Sequence, residues 1–295
     1  SNCQNCNTTE LRLLGLSGDY NQVVFDGLPM MSSLAGVYGV EQVPAAFIDR
    51  IEVVKGGGGA LYGASAVAGV INIIPRRPVE DGVVIGHRVT QTKGRATHAV
   101  DFATSHAHLG VPSGVSGYGQ LVRADAVDLD GDGFTEIARR ELEVVGLRAS
   151  HRNAWGEWTM DLNHTHEFRR GGDRLDQAYH LSHITEAIET HRTAATLALS
   201  GSRGETVAYK FAIAAALTDR ESYYGGLGDV VIDPGDPEFD QQAFDEALAI
   251  ARRQYGATDN PLYIADAQLD FRMGAHVFSW GVQGEWERID DRNLD

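Results

Sequence analysis

Four groups of residues in this chain have types and spacings that could do chemistry. Cys3 and Cys6 form a C-x-x-C. In an exported protein such a pair is a disulfide or two surface thiols; as thiolates it is a soft-metal contact, because sulfur ligands favour copper(I) and zinc. No second C-x-x-C accompanies it, as a closed zinc site would require. Asp128-x-Asp130-x-Asp132-Gly133 matches the first half of a calcium-binding loop, with Glu136 at the ninth position. The twelfth position is Arg139 instead of a bidentate glutamate, so the segment reads as a solvated acidic turn or a weak calcium site. His164 and His166 share one face of a strand, and His180 and His183 follow in a loop. No histidine has the spacing of a helical metal motif, and the residues read as solvated or interfacial. Arg50, Glu52 and Lys55 interleave with Ile51, Val53 and Val54 and form the polar side of a short strand.

Other chemistry is excluded by what those groups lack. Gly56 to Gly59 is glycine-rich but has no following Lys-Ser/Thr, so it is not a phosphate loop. No nucleophile elbow or dinucleotide fingerprint occurs, and an enzyme is the losing class. The formal charge of −16 on 295 residues excludes a nucleic-acid binder that works through phosphate contacts. Hydrophobic residues make up 43%, so the chain is not disordered. No run of 18 apolar residues is present, which excludes a transmembrane helix but not a β-barrel, whose lipid face alternates with a polar interior.

The elements that position these groups fall into two regions. Ile48 to Lys55 reads as a strand, four glycines follow, and a small-residue stretch leads to a second strand, Val70 to Ile74, stopped by Pro75. Upstream, Glu10 to Leu16 and Asn21 to Asp26 read as two strands joined by Ser17-Gly18-Asp19, and Val43 to Ile48 as a short helix. The wording IDRIEVVKGGGGALYGASAVAGVINIIPRRP, with LRLLGLSGDYNQVVFDGLP before it, resembles the plug domain of TonB-dependent outer-membrane receptors. The family's "R-x-x-G … DG-x-P" pattern falls at Arg12, Gly15, Asp26, Gly27 and Pro29, and Gly57 stands where the family often has proline. The resemblance covers about the first quarter of the chain.

From Val83 onward, segments of alternating apolar and polar residues recur. Val207, Phe211 and Leu217 alternate with Lys210 and small residues; Trp158, Met160 and Leu162 with Asp161 and Asn163; Phe278, Trp280, Val282 and Trp286 with Gln283 and Glu285. The apolar sets are expected to face lipid and the polar sets a lumen. About nine such strands fit between residues 83 and 289. Short turns at Asn153-Ala154, Ser202-Arg203 and Gly274-Ala275 alternate with long loops over 127–139, 170–188 and 219–261, which assigns the long loops to the extracellular side. The longest loop is strongly acidic and is predicted to hold a helix capped by Asp236, with Pro237 at its first position and Gly256 as its stop.

The expected fold is therefore mainly β: a transmembrane antiparallel β-barrel, partial, with a partial α+β plug domain at its N-terminal end. Residues 1–78 form the plug part and residues 79–295 the first part of the barrel. The resemblance implies a piece of a longer receptor, without its export signal, TonB-contacting segment, first plug part and last barrel strands. It further implies active uptake of a scarce nutrient across the outer membrane of a Gram-negative bacterium. Energy would be relayed by TonB, and the bound species would be a metal chelate such as a ferric siderophore. Cobalamin, haem, copper or zinc are the alternatives within the family, and a non-transporting adhesin or signalling receptor is the alternative outside it. No cofactor is required. By the family's geometry Cys3, Cys6, Met30 and Met31 lie on neighbouring loops at the plug apex facing the substrate, and Arg50, Glu52 and Lys55 join polar contacts between plug and inner wall.

Overall fold

A computed structural model describes residues 12–16, 20–29, 39–56, 66–108 and 113–294. Two sheets account for nearly all of it. The smaller has three strands in the order β1-β3-β2. β1 (Asn21–Phe25) runs parallel to β3 (Gly69–Pro75), and β2 (Ile48–Lys55) pairs with β3 antiparallel. β3 is the buried centre: Val70 and Ile73 are each 1% exposed, because an apolar run with no alternation suits a strand covered on both faces.

Three sequence expectations for this region need correction. Glu10 and Leu11 lie outside the described residues. The rest of the expected first strand is a turn: Leu14 and Gly15 have φ of 54° and 76°, and Leu16 N–H donates to Leu13 O at 3.0 Å. A left-handed backbone cannot lie in a ladder, so no hairpin with β1 forms there and β1 finds a parallel partner instead. Of the expected helix over Val43 to Ile48 only a 3₁₀ turn, Ala45–Phe47, forms, and a second turn, Gly39–Gln42, precedes it across Val43 and Pro44. Proline there removes the N–H that would join the two turns into one helix.

The larger sheet is antiparallel throughout. Its path is β12-β11-β10-β9-β8-β7-β6-β5-β4, with β13 (Asp290–Asn293) pairing the start of β11. The members are β4 (Gly82–Thr92), β5 (Arg95–Ala107), β6 (Ser113–Ala124), β7 (Arg139–Asn153), β8 (Gly156–Gly172), β9 (Thr185–Arg203), β10 (Val207–Gly225), β11 (Tyr255–Met273) and β12 (His276–Glu287). Each strand neighbours the next in sequence, the up-and-down order of a barrel wall. Alternation sets the faces as expected. Trp158, Phe211, Leu217, Phe278, Trp280 and Trp286 lie on the outer face and are all at least 37% exposed. On the inner face Asp161 is buried and Lys210 reaches the plug.

The loop between β6 and β7 runs over 125–138, close to expectation, but the two later long loops are shorter than alternation predicts. β9, β10 and β11 each have 19 residues, more than the roughly 10 needed to cross a hydrocarbon layer. Pairing continues to Tyr223↔Tyr255 and Gly225↔Thr185, so the loops narrow to 173–184 and 226–254. The outward positions above the apolar band are polar (Glu189, His191, Asp219, Glu221), which erases the alternation signal while the backbone ladder runs on. The loop helix α1 spans Gln241–Ala251, and its cap is Asp240, which accepts from Gln242 and Ala243 N–H at 2.9 and 3.1 Å. Asp236 is spent on a separate turn, accepting from Glu238 N–H at 2.9 Å. Gly256 is not a helix stop; it pairs within β11.

Candidate functional site: the seam between plug and wall

The small sheet packs against the inner face of the large one through three polar clusters and two apolar ones. The first polar cluster is built on a two-residue turn. Asp26 and Gly27 have φ of 53° and 81°, which an Asp-Gly pair tolerates, and Phe25 and Leu28 exchange both backbone hydrogen bonds across them. The turn aims Asp26 at the wall. Its carboxylate accepts from Arg148 Nη2 of β7 at 2.6 Å, and its carbonyl from Lys210 Nζ of β10 at 2.6 Å. Behind Arg148, Asp161 of β8 accepts from Tyr118 Oη at 2.9 Å and from Asn163 Nδ2 at 3.1 Å.

The second cluster is an ion-pair box. Glu41 meets Arg140 Nη1 at 2.9 Å and Arg169 Nη2 at 2.7 Å. Glu167, 4% exposed, meets Arg140 Nε at 2.7 Å and Arg169 Nε at 2.8 Å, and also accepts from Gln42 Nε2 at 2.8 Å. Two carboxylates and two guanidiniums thus bridge one 3₁₀ turn of the plug to β7 and β8. Burial of such charges is tolerable only because each faces an opposite partner. In the third, Arg77 joins Arg152 on Glu157 at 3.2 and 2.7 Å. Ala46 N–H adds a hydrogen bond to Asp101 at 3.0 Å.

The apolar contacts pin the same places. Phe47 stacks on Tyr118 of β6 with centroids 3.6 Å apart and planes at 12°. Tyr118 can lie flat there because its cross-strand partner is Gly146; a Cβ at 146 would fall inside the ring. Leu28, just past the turn, belongs to one buried apolar cluster with Ala194, Ala212, Ala214, Ala216, Leu262 and Ile264. Alanines at those inward positions of β9 and β10 let the plug approach closely.

Sequence reasoning located the seam but chose other residues for it. Arg50 pairs with Asp49 and Glu52 beside it, each at 2.9 Å, and is 58% exposed. Lys55 is exposed as well. Arg50 and Asp49 border a cleft whose other side is Ala103, Thr104, Ser105 and Ser116 of β5 and β6. Among the described residues, Asp26, Glu41, Gln42 and Arg77 make side-chain polar contacts that cross the seam. Asp26 stood out in the sequence only within the DG-x-P pattern, and Glu41 had no signal, since it is one glutamate in a polar loop. Cys3, Cys6, Met30 and Met31 lie outside the described residues.

Two clusters lie away from the seam. In the turn between β6 and β7, Asp128, Asp130, Asp132 and Glu136 bring ligand oxygens within 4.8 Å of one another. Gly131 and Gly133 N–H both donate to Asp128, at 2.6 and 2.9 Å, and hold its carboxyl below the usual range. On the outer face, His166 of β8 and Glu189 and His191 of β9 form a second group of the same tightness. The sequence offered only His164 and His166 as a same-face pair; strand register supplies the rest.

A half-wall of up-and-down strands with a small mixed sheet bound to its inner face is the architecture of a plugged outer-membrane barrel. The chain carries a TonB-dependent receptor plug domain: residues 1–70 match the profile described as "TonB-dependent Receptor Plug Domain". Among curated proteins, the vitamin B12 transporter BtuB of Vibrio vulnificus is 50% identical over 56 residues, 18% of this chain and 9% of that protein. The ferric enterobactin receptor PirA of Pseudomonas aeruginosa is 26% identical over 199 residues, 61% of this chain and 26% of that protein. Among solved structures, the siderophore receptor PiuA of Acinetobacter baumannii superposes on 99% of this chain with a TM-score of 0.64 at 13% identity. The chain spans 41% of that receptor's length.

Proposed function

We propose that the protein to which this chain belongs is a TonB-dependent outer-membrane receptor of a Gram-negative bacterium, for active uptake of a metal chelate such as a ferric siderophore. The observation that carries this reading is a plug fastened to the wall mainly by hydrogen bonds and ion pairs. A seam of that kind can exchange partners with water when the plug is pulled, whereas a continuous apolar core would oppose separation in proportion to its area. In this reading residues 1–78 are the plug part and residues 79–295 the wall, whose outer face lies against lipid. TonB supplies the force, and the extracellular loops with the plug apex hold the substrate. Cobalamin, haem, copper or zinc remain alternative cargoes, and an adhesin or signalling receptor the alternative without transport.

The test is accumulation of a radiolabelled ferric chelate by cells expressing the full-length receptor, with and without TonB. Uptake that requires both receptor and TonB is expected; equal uptake without TonB removes the transport reading. A Cys3→Ser, Cys6→Ser variant in the same assay separates the cargoes. Unchanged uptake of the iron chelate is expected, while a copper cargo held by Cys3, Cys6, Met30 and Met31 would be lost.

We further propose weak calcium binding by the turn over 128–136, from Asp128, Asp130, Asp132 and Glu136. With Arg139 in place of the bidentate glutamate the affinity should fall at about the millimolar end of such loops. Millimolar calcium should raise the melting temperature of the wild type and not of Asp130→Asn. An equal response in both would show that calcium acts elsewhere.

A further inference from the structure

We infer that His166, Glu189 and His191 form a binding site for a borderline divalent metal ion of the zinc class, on the outer wall and separate from the plug seam. The three side chains come from two strands and meet through register: His166 is the direct cross-strand partner of His191, and Glu189 lies two residues along β9 on the same face. The imidazole rings stack with centroids 4.4 Å apart and planes at 10°. One ligand atom from each of the three side chains lies within 4.8 Å of the others, and a single carboxylate oxygen is shared between the two rings. Glu189 Oε1 is 3.0 Å from His166 Nε2 and 3.8 Å from His191 Nε2. A tetrahedral zinc ion with bonds of about 2.1 Å has ligand–ligand edges of roughly 3.4 Å. The two distances bracket that edge, and an ion seats when the stacked rings tilt apart so that both in-plane lone pairs converge on it.

Surroundings favour a cation. His191 faces Asp219 and Glu189 faces Glu221 across β9 and β10, and His166 faces Glu143 across β7 and β8. Arg123 and Arg139, ion-paired with Glu143 and Glu141, are positive groups on that side. His164 closes the lower edge: its ring is 6.0 Å from His191, and its Nδ1 is 2.9 Å from Thr193 Oγ1. Two imidazoles and one carboxylate select zinc, copper(II) or nickel over calcium and magnesium, which require oxygen ligands throughout. His166, Glu189 and His191 have side chains 30%, 44% and 50% exposed, so water completes the coordination. The site lies on the opposite side of the wall from the plug, and its existence does not depend on which cargo the receptor carries.

The experiment is calorimetric titration of zinc chloride into the full-length receptor in detergent, without a polyhistidine tag and with Cys3→Ser and Cys6→Ser to silence thiols. His191→Ala and Glu189→Gln should each weaken binding by more than the roughly 10–100-fold that losing a merely supporting group costs. His276→Ala, an exposed histidine on β12, should leave it unchanged. Copper(II) provides a second readout: its electron paramagnetic resonance spectrum should show coupling to two imidazole nitrogens in the parent and to one in His191→Ala. Equal zinc affinity in the parent, His191→Ala and Glu189→Gln, or a copper spectrum that His191→Ala does not change, overturns the site.

Discussion

Glu167→Ala should be the most damaging single substitution along the seam, at about 3–5 kcal/mol. It removes the acceptor shared by Arg140, Arg169 and Gln42, and Glu41 alone of the box's carboxylates is left to face both guanidiniums. Glu167 is 4% exposed, so solvent does little to replace it. Glu41 is 26% exposed, and Glu41→Ala should cost less because water reaches the vacated place. Glu141, paired with Arg139 on the outer face, provides the comparison: its loss should cost no more than ~1 kcal/mol. Urea unfolding of the full-length receptor in detergent measures all three. The loss should appear first as protease access to the plug, because the strand ladder of the wall does not pass through Glu167's side chain. Equal costs for Glu167→Ala and Glu141→Ala would refute the latch.

Phe47→Ala should be second, at about 3–5 kcal/mol. The ring is 1% exposed and fills the space between Tyr118 and Phe25, at centroid distances of 3.6 and 6.2 Å. Tyr118 cannot follow into the gap, because its hydroxyl is held by Asp161 at 2.9 Å. A cavity therefore remains, which is the condition for a large penalty. Phe47→Leu keeps most of the volume and should cost under about 1.5 kcal/mol. Phe102, on the outer face and 40% exposed, is the control. A Phe47→Ala penalty no larger than that of Phe102→Ala would mean that the stack does not hold the plug.

Opposite charge on the two sides of the seam also bears on motion. The box of Glu41, Arg140, Glu167 and Arg169 holds when dry and weakens when water enters, since the same ion pair is worth several-fold less at higher dielectric. The Phe47–Tyr118 stack lies beside it, in a cleft lined also by Gln42, Asn163, Thr165 and Arg192. Displacing Phe47 would open that cleft toward Gln42, and so toward the box. The two substitutions should accordingly be non-additive, as expected for neighbours that share a cavity.

The sequence by itself determined the class of fold and most strand faces. Period-2 patterns over Trp158–Leu162, Val207–Leu217 and Phe278–Trp286 specified which side chains point out, because burial on one face leaves no other register. The Asp-Gly turn at 26–27 does not show as a turn in the sequence pattern, where Asp26 reads as the end of a strand, although the residue pair favours two consecutive left-handed conformations. Strand length was not legible: above the apolar band both faces are polar, and hydrogen-bonded pairs such as Asp219↔Asp259 carry no hydropathy signal. The partner of β1 was not legible either, because Asn21–Phe25 would pair as well with a hairpin neighbour as with β3. Which residues cross the seam, and which form the outer metal site, was decided by tertiary structure. Glu41 meets Arg169 across 128 residues, and His166 meets Glu189 across 23. Such pairs depend on the stagger of strands several positions along the chain, a quantity set by the whole sheet and the plug inside it rather than by any local run of residues.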